Sequence, residues 1–510
     1  MRQRFTRLHC IMHLTGMFLE LLALLLLLPL LFWGLSRITD YNSPESWRTF
    51  LAFIIPATAS LGLGLFMRSH FKNTGLDLTS SMLLCTVAWL AASALGAIPF
   101  CIAIDASYID GYFEAMSGFT TTGITVFSEL DAMPHSVLFW RSLTQWLGGL
   151  GILSFFLIVA SNSKGAHYMA GAEAHKISSG RPVPGMFGTL RILWGIYILF
   201  TAAAMVSYAF AGMTIFDSLC HGLTTLATGG FSTHDASIAF YREGGYHYRL
   251  IEYMVTFFMM LGGINFLVHF RVLTGDFKAL WDNIEVRYWW RMIVAFTGFI
   301  MIEHLWKSGA LVHIFTAGFS LTFGEMEHIF RTTLFQVIGI LTTAGFSTEA
   351  IGGNFFPAVA RQLFLAMMFI GGCVGSTSCG FKILRIAILS KLMKRELFKI
   401  RNSSEAVSPL IIDNKPVADD EIHRVGALFF TWVVFLVVGG GITALLSSHG
   451  PWKSLSGMFS AIGNIGPCYI SVTDMMTIHP VIKITYIIGM LAGRLEIIPV
   501  LLLFSRRSWK

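Results

Sequence analysis

One short phrase with glycine at its third position occurs four times, and we call these copies the four glycine phrases. They are Thr121-Thr122-Gly123-Ile124-Thr125, Thr228-Gly229-Gly230-Phe231-Ser232, Thr343-Ala344-Gly345-Phe346-Ser347 and Asn464-Ile465-Gly466-Pro467-Cys468. Each lies between two long apolar segments, and the central glycines follow one another at intervals of about 107, 115 and 121 residues. Gly, Ser and Thr are common in ordinary turns, but four copies in one context predict four diverged copies of a single structural unit.

The composition places these units in a membrane. Of the 510 residues, 55% are hydrophobic and 13% are charged, whereas about a quarter of a soluble chain is charged. Apolar runs of about 20 residues, long enough to cross a bilayer, recur along the chain. The net charge of +7 comes from Lys and Arg at the ends of these runs, which indicates membrane topology rather than a nucleic-acid partner. The seven cysteines show no CxxC spacing, so we predict neither a disulfide framework nor a zinc site.

Each unit is predicted to contain an apolar helix, a short re-entrant segment, a glycine phrase and a second apolar helix. A segment such as 108–120 is too short to span the bilayer, but irregular backbone is tolerated at membrane depth where it lines a water-filled cavity. The predicted fold class is an all-α polytopic membrane protein with four pseudo-symmetric repeats around one pore, preceded by a two-helix hairpin. The predicted hairpin and repeats cover residues 1–75, 76–165, 185–275, 288–400 and 420–510.

This arrangement gives ten spanning helices. Every basic loop then falls on the same side, and so do both termini, which the positive-inside rule places in the cytoplasm. The first apolar run, 17–35, is long for a signal peptide and no small-residue cleavage site follows it, so we expect a retained helix.

The second helices share a pair of small residues. The pairs are Gly148-Gly149, Gly262-Gly263, Gly371-Gly372 and Ala492-Gly493. Small residues in the middle of a transmembrane helix allow a neighbouring segment to approach closely, and their recurrence supports the repeat.

The chemistry of the phrases favours a monovalent cation. Backbone carbonyls can replace the water molecules around such an ion, and four loops around one axis would form a ring. Glycine permits the tight, partly left-handed backbone that this requires, and Thr or Ser adds hydroxyl oxygens. The candidate ion-binding residues are the first three of each phrase: Thr121, Thr122, Gly123, Thr228, Gly229, Gly230, Thr343, Ala344, Gly345, Asn464, Ile465 and Gly466.

Two departures from the repeat suggest a gate. Residues 371–382 of the third repeat contain four glycines and three hydroxyl residues, which disfavour a continuous helix. We predict a break into an intramembrane loop, with a kinked helix as the alternative. Its candidate gating residues are Gly371, Gly372, Gly375, Ser376, Thr377, Gly380 and Lys382.

The second departure is Arg494 in the fourth repeat, a cation predicted to lie in the middle of a pore-lining helix. An intramembrane arginine is costly and is a functional candidate by default. Below a ring of carbonyls it would raise the barrier to passing cations. The alternative is a structural arginine paired with Glu496 or with backbone carbonyls.

No catalytic or nucleotide-binding motif is found. The sequence Glu325-Met326-Glu327-His328 lacks metal-ligand spacing, and no Walker A sequence or dinucleotide fingerprint occurs. We therefore predict a protein that is not an enzyme, with no cofactor of its own. A membrane-embedded enzyme remains an alternative class, which would need convergent acid, base or metal residues at one depth.

With their flanking residues, the phrases at 117–123, 227–233, 342–348 and 462–467 resemble the four filter sequences of the Trk/Ktr/HKT superfamily of potassium transporters, and most of all those of bacterial Trk systems. The resemblance implies a subunit of the bacterial inner membrane that transports potassium as its substrate. It implies a homodimer with one pore per protomer and a cytosolic TrkA-like subunit that carries the regulatory nucleotide. It also implies that the four central glycines form the filter, that 371–382 is the gating loop and that Arg494 is the pore arginine.

Selectivity and coupling are left open by the sequence. In plant members of the superfamily, serine at the first filter position accompanies sodium preference, so Gly123 favours potassium. Two positions depart from the family pattern: Cys468 and Tyr469 follow Pro467 where Gly is usual, and Cys379 precedes Gly380 where Gly-Gly is usual. The alternatives are a sodium-permeable member, a proton- or sodium-coupled symporter, or the potassium-translocating subunit of an ATP-driven pump. The basic segment 391–401 is the candidate contact for the regulator.

Overall fold

The structure is a computed structural model that describes residues 6–39, 44–151, 186–308, 323–402 and 408–509. The described part of the chain is mostly helical, as expected for a polytopic membrane protein. The second half of the first repeat's inner helix, predicted to reach residue 161, and the basic loop after it lie outside the described residues.

An N-terminal hairpin precedes the repeats. Its helices are Thr6–Leu27, continued by Pro29–Thr39, and Trp47–His70. The two arms touch at Gly16 and Gly64, where a Cβ atom on either glycine would lie 2.7 Å from the carbonyl oxygen of the other. Such small-residue contacts let transmembrane helices pack closely in lipid, where there is no hydrophobic driving force between them.

Each repeat has an outer helix, a re-entrant helix and an inner helix. The outer helices are Leu78–Gly96 continued by Ile98–Ala103, Met186–Phe210, Ile284–Lys307 and Asp419–Leu446. The re-entrant helices are Tyr108–Phe119, Ile215–Leu226, Phe323–Leu341 and Pro451–Gly463. Two of them begin at a hydroxyl residue, Ser107 or Thr214, whose side chain accepts a hydrogen bond from a backbone N–H of the first turn.

The inner helices end at the pairs of small residues. They are His135–Gly149, Tyr248–Gly263 followed by Phe266–Leu273, Ala358–Ile370 followed by Ile383–Arg401, and Pro480–Arg494 followed by Ile498–Leu503. We had predicted continuous second helices in repeats two and four, and this was wrong. The second bends by 105° after Gly263, and the fourth breaks where Glu496 and Ile497 have positive φ.

The remaining elements are short. They are the helices Ala279–Asp282 and Val472–Thr477, the 3-10 turns Leu130–Ala132 and Ser237–Arg242, and an antiparallel pair of two-residue strands, Ile411–Ile412 and Lys415–Pro416. Within the described residues, five helices are long and apolar enough to cross a membrane, or six if the bent pair of the second repeat counts as one. The prediction of ten crossings counted the interrupted inner helices as spans, and it stays a prediction, as do the exact boundaries of the five units.

Two of the pairs of small residues lie against the ends of re-entrant helices. A Cβ atom on Gly148 would lie 2.0 Å from the carbonyl oxygen of Phe119, and one on Gly493 would lie 2.0 Å from that of Ile462. Both carbonyls belong to the last turn of the re-entrant helix in the same repeat. The pairs of small residues therefore let the inner helix touch the end of the re-entrant helix, which confirms the expected close approach.

The hairpin contact predicts a steric effect on stability. We expect Gly64→Val to lower the free energy of unfolding by about 1–3 kcal/mol, because the added side chain overpacks against Gly16 and Glu20. Thermal unfolding of the purified protein in detergent measures this. Gly62→Val is the matched control, since nothing lies within 4 Å of a Cβ atom at that position; equal effects of the two substitutions would contradict the contact.

Candidate functional site

The four glycine phrases begin where the re-entrant helices end. These helices finish at Phe119, Leu226, Leu341 and Gly463, one or two residues before each phrase. The first residue of every phrase donates its backbone N–H to the carbonyl three residues earlier, so each helix is closed by the same turn. A helix C-terminus carries a partial negative charge, and four such ends at one place favour a cation there.

All four phrases have the same backbone conformation. The first residue has a left-handed φ of 51–57°, and the third, the glycine, has a positive φ of 76–103°. A left-handed φ is unfavourable for threonine, so its recurrence in three phrases reflects a shared constraint. Asn464 occupies the equivalent place in the fourth phrase, and asparagine tolerates this conformation better.

The four phrases form a closed ring, in which the central glycine of each phrase contacts the next phrase. We call these four contacts the joints of the ring. A Cβ atom on Gly123, Gly230 or Gly345 would lie 2.0–2.2 Å from the carbonyl oxygen of the second residue in the next phrase. Those residues are Gly229, Ala344 and Ile465, respectively. The fourth joint returns to the first phrase, where a Cβ atom on Gly466 would lie 3.0 Å from the carbonyl oxygen of Thr122. The structure thus brings together all twelve candidate ion-binding residues around one axis, with a looser joint at Gly466.

Buried ion pairs hold the segments around the ring. Glu114, on the first re-entrant helix, is fully buried and accepts hydrogen bonds from Arg141 Nε at 2.9 Å and from Thr125 Oγ1 at 2.9 Å. The guanidinium of Arg141 also donates to the carbonyl of Ser232 at 2.9 Å, so it links the first repeat to the second phrase. The sequence analysis missed Arg141; the carboxylate of Glu114 within the re-entrant segment was the signal that a cation must lie nearby.

A second polar cluster lies on the loop that follows the second phrase. His234 contacts Asp131 of the first repeat through Nδ1, and its Nε2 lies 3.4 Å from Asp217 Oδ2. Burial lowers the pKa of His234, but the two carboxylates outweigh that effect and hold its pKa above the usual value. Through these two carboxylates, His234 connects repeats one and two.

Residues 371–382 form the non-helical loop that their composition predicted. The loop is pinched at its base, where a Cβ atom on Gly371 would lie 2.1 Å from the carbonyl oxygen of Cys379 and one on Gly380 would lie 2.7 Å from the Cα of Gly371. Both glycines have positive φ, 73° and 83°. A kinked but continuous helix is thereby excluded.

The second half of this loop lies against the third phrase and the second repeat. The backbone N–H of Cys379 donates to Thr343 Oγ1 at 2.8 Å, and Thr377 Oγ1 donates to the carbonyls of Leu226 and Gly262 at 2.9 and 3.0 Å. The other candidate gating residues are not part of this contact. Gly375 packs on Asn265 of the second repeat, Ser376 bonds within the loop, and the ammonium of Lys382 turns back to the carbonyl of Ser378.

Arg494 is the last residue of its helix and not, as predicted, in the middle of one. Its guanidinium donates to the carbonyls of Gly148 and Gly149, the latter at 2.6 Å, and at 3.2 Å to Thr121 Oγ1 and to the carbonyl of Thr377. Of the two structural partners that we had considered, the carbonyls are therefore present. Glu496 forms an ion pair with Arg385 at 2.6 Å. Arg494 thus joins the first phrase, the first inner helix and the loop.

These features define a polytopic helical membrane protein in which four repeats surround a common ring of backbone, with a loop and an arginine on one side of it. Residues 46–510 match the TrkH family, described as cation transport proteins, and the chain belongs to this family. The resemblance inferred from the phrases is thereby confirmed.

Individual relatives match over nearly the whole chain. The Trk system potassium uptake protein TrkH of Escherichia coli (strain K12) is 30% identical over 461 residues, which cover 88% of this chain and 90% of that protein. The protein of the same name from Halomonas elongata is 28% identical over 519 residues, 99% of each chain. The crystal structure of the potassium transporter TrkH from Vibrio parahaemolyticus has a TM-score of 0.82 at 28% identity, covering 99% of this chain and 100% of that one.

The ring geometry predicts a rank order among glycine-to-alanine substitutions. We expect Gly123→Ala and Gly345→Ala to lower the free energy of unfolding by more than about 3 kcal/mol, because the methyl group meets a carbonyl oxygen and adds a buried clash to the cost of positive φ. Gly466→Ala should cost less, since its joint is looser. Thermal unfolding in potassium-containing buffer measures the order.

Gly212→Ala is the matched control for backbone strain. Gly212 has a φ of 102°, close to the 103° of Gly466, and no atom lies within 4 Å of a Cβ atom placed there. Its substitution should therefore show the cost of positive φ alone, about 1–2 kcal/mol. The ring would be refuted if Gly123→Ala were no more destabilising than Gly212→Ala.

Proposed function

We propose that this chain carries potassium into the cell through a selectivity filter made by the four glycine phrases. The ring of glycine-to-carbonyl joints carries this proposal, because it places four equivalent backbone segments around one axis. Carbonyl oxygens there offset the loss of the ion's hydration shell, so no covalent step is needed. The names of the relatives, which are potassium uptake proteins, support potassium as the ion.

The filter consists, in this proposal, of the first three residues of each phrase. Gly123 at the centre of the first phrase favours potassium over sodium. The re-entrant helices direct the negative ends of their dipoles toward the ion. The looser joint at Gly466 and the neighbouring Cys468 are the places where affinity would differ from that of a more regular ring.

The gate consists of residues 371–382 and Arg494. Contacts of Thr377, Cys379 and Arg494 with the phrases and inner helices support this assignment, because they place the loop and a positive charge next to the ring. A fixed cation next to the filter raises the barrier to potassium, so transport requires the loop and Arg494 to move. The hydrogen bonds of Arg494 to carbonyls of the first inner helix hold it in the closed position.

The remaining assignments concern the cell and its partners. We place the protein in the bacterial inner membrane with both termini in the cytoplasm, on the positive-inside rule. The five predicted units, residues 1–75, 76–165, 185–275, 288–400 and 420–510, form one protomer of a homodimer. A cytosolic TrkA-like subunit binds the regulatory nucleotide and contacts the basic segment 391–401. The chain itself is not an enzyme and holds no cofactor.

The alternative functions differ in the energy source that drives transport and in ion selectivity. Uphill uptake driven by protons or sodium would make the protein a symporter, whereas downhill flux would make it a channel. A sodium-permeable member would lose discrimination between the two ions, and a pump subunit would need a partner ATPase. None of these alternatives removes the carbonyl ring, so selectivity is the property to test first.

We expect rubidium uptake into potassium-transport-deficient cells that express this chain with its regulator. Excess potassium should block uptake and excess sodium should not. Gly123→Ser should weaken this discrimination about tenfold, equivalent to about 1.4 kcal/mol, because the side chain displaces the Gly229 carbonyl. Equal competition by sodium in the wild type would rule out the potassium filter.

Neutralising the arginine should open the pathway. We expect Arg494→Gln to raise uptake without the regulatory subunit about tenfold, which corresponds to about 1.4 kcal/mol of barrier. Arg361→Gln is the control, since Arg361 also donates to two carbonyls, those of Phe356 and Gly353, and neither belongs to the ring's twelve residues. Unchanged or lower flux in Arg494→Gln at equal protein amounts would show that Arg494 is not part of the gate.

A further inference from the structure

The side-chain amide of Gln145, a residue of the first repeat, forms two hydrogen bonds with the second glycine phrase. Gln145 lies on the first inner helix and is fully buried. Its Nε2 donates to the carbonyl of Gly229 at 2.7 Å, and its Oε1 accepts from the backbone N–H of Phe231 at 3.0 Å. The two hydrogen bonds thus flank Gly230, the central glycine of that phrase.

We infer that Gln145 is a positioning residue that sets the ion selectivity of the second phrase; this inference rests on the proposed filter. The carbonyl that Gln145 holds belongs to Gly229, the same oxygen against which Gly123 packs in the ring. Selectivity in a carbonyl-lined filter depends on where its oxygens lie and how far they can move. A side chain that fixes one of these oxygens therefore influences which ion fits.

The second phrase needs such support more than the others. It is the one phrase with two consecutive glycines, Gly229 and Gly230, and glycine has more backbone freedom than any other residue. The residues at the second position of the other phrases are Thr122, Ala344 and Ile465, whose side chains restrict the backbone. Gln145 supplies from outside the restraint that the second phrase lacks.

Gln145 and Gly229 are a sterically matched pair. A Cβ atom on Gly229 would lie 2.3 Å from Gln145 Cδ and 2.4 Å from its Oε1. The positions equivalent to Gln145 in the other inner helices, three residues before the pair of small residues, are Met259, Met368 and Gly489. Among the four repeats, a glutamine at this position thus occurs only opposite the phrase whose second residue is glycine.

Neighbouring residues extend the same contact along the helix. Arg141, one turn before Gln145, donates to the carbonyl of Ser232 and lies over the ring of Phe231 at 4.2 Å. One turn after it, a Cβ atom on Gly149 would lie 2.9 Å from the Cα of Ala227. The first inner helix therefore follows the second phrase over its whole length, with Gln145 at the centre of the contact.

The test is the ratio of sodium to potassium concentrations that half-inhibit rubidium uptake, measured for wild type and Gln145→Met. Methionine has a similar volume and occurs at the equivalent position in two other repeats, but it cannot make either hydrogen bond. We expect the ratio to fall about fivefold or more, the effect of losing the net contribution of one hydrogen bond or more. Ser142→Ala is the control, since Ser142 donates to the carbonyl of Leu138 in its own helix and its other partner, Cys220, lies outside the glycine phrases. Its ratio should equal that of the wild type.

A second pair of variants keeps the test decisive if Gln145→Met accumulates poorly. Gly229→Ala alone should abolish uptake because its methyl group collides with Gln145, whereas Gly229→Ala combined with Gln145→Ala should recover uptake with a lowered ratio. An unchanged ratio in Gln145→Met, or full uptake by Gly229→Ala alone, would overturn the inference while leaving the potassium filter standing. Absence of potassium-inhibited uptake in the wild type would instead refute the proposed function, and the inference with it.

Discussion

The close approach of a glycine Cα to the carbonyl oxygen of the next phrase is the constraint on which the rest of the structure depends. It requires glycine at the third position of each phrase and a left-handed residue at the first. Four segments can meet this way only if their helices stop short of the ring, which is why each re-entrant helix ends one or two residues before its phrase. The inner helices then contact these ends through small residues, and there they break. One steric requirement thus explains the glycine at the third position of every phrase.

Buried polar groups stabilise this arrangement at membrane depth. Irregular backbone is tolerated in a bilayer only when its polar groups have partners, and some of these partners come from adjacent repeats. Arg141 connects Glu114 to the second phrase, and Arg331 of the third repeat binds Glu252 of the second at 2.7 Å with both side chains buried. Removing one member of such a pair leaves the other charge buried and unpaired, so separating these ion pairs is energetically costly. The loop 371–382 and Arg494, by contrast, have mostly neutral carbonyls and hydroxyls as their partners at the phrases and inner helices.

The sequence was sufficient for features that repeat along the chain. Glycine spacing and segment length were enough to predict the glycine phrases, the short re-entrant segments and the non-helical loop 371–382. The interruptions after Gly263 and Arg494 were missed because apolar residues continue on both sides of each break, and the segments that contact the inner helices there lie elsewhere in the sequence. Contacts between repeats, such as Arg141 with Ser232, were missed for a related reason: local periodicity does not specify which repeat is the neighbour of which. A buried charge in an apolar segment was the one available signal.

The ring also has a direction, since each glycine meets the carbonyl of the following repeat and the fourth returns to the first. Four identical subunits could form such a ring only with the same residue at every joint. A single chain is free of that symmetry, so one joint can be looser than the others, as at Gly466. The second residue of one phrase can likewise be a glycine that packs against a glutamine. Covalent linkage of the repeats therefore allows each quarter of the ring to diverge separately, and a substitution in one quarter changes one side of the axis instead of all four.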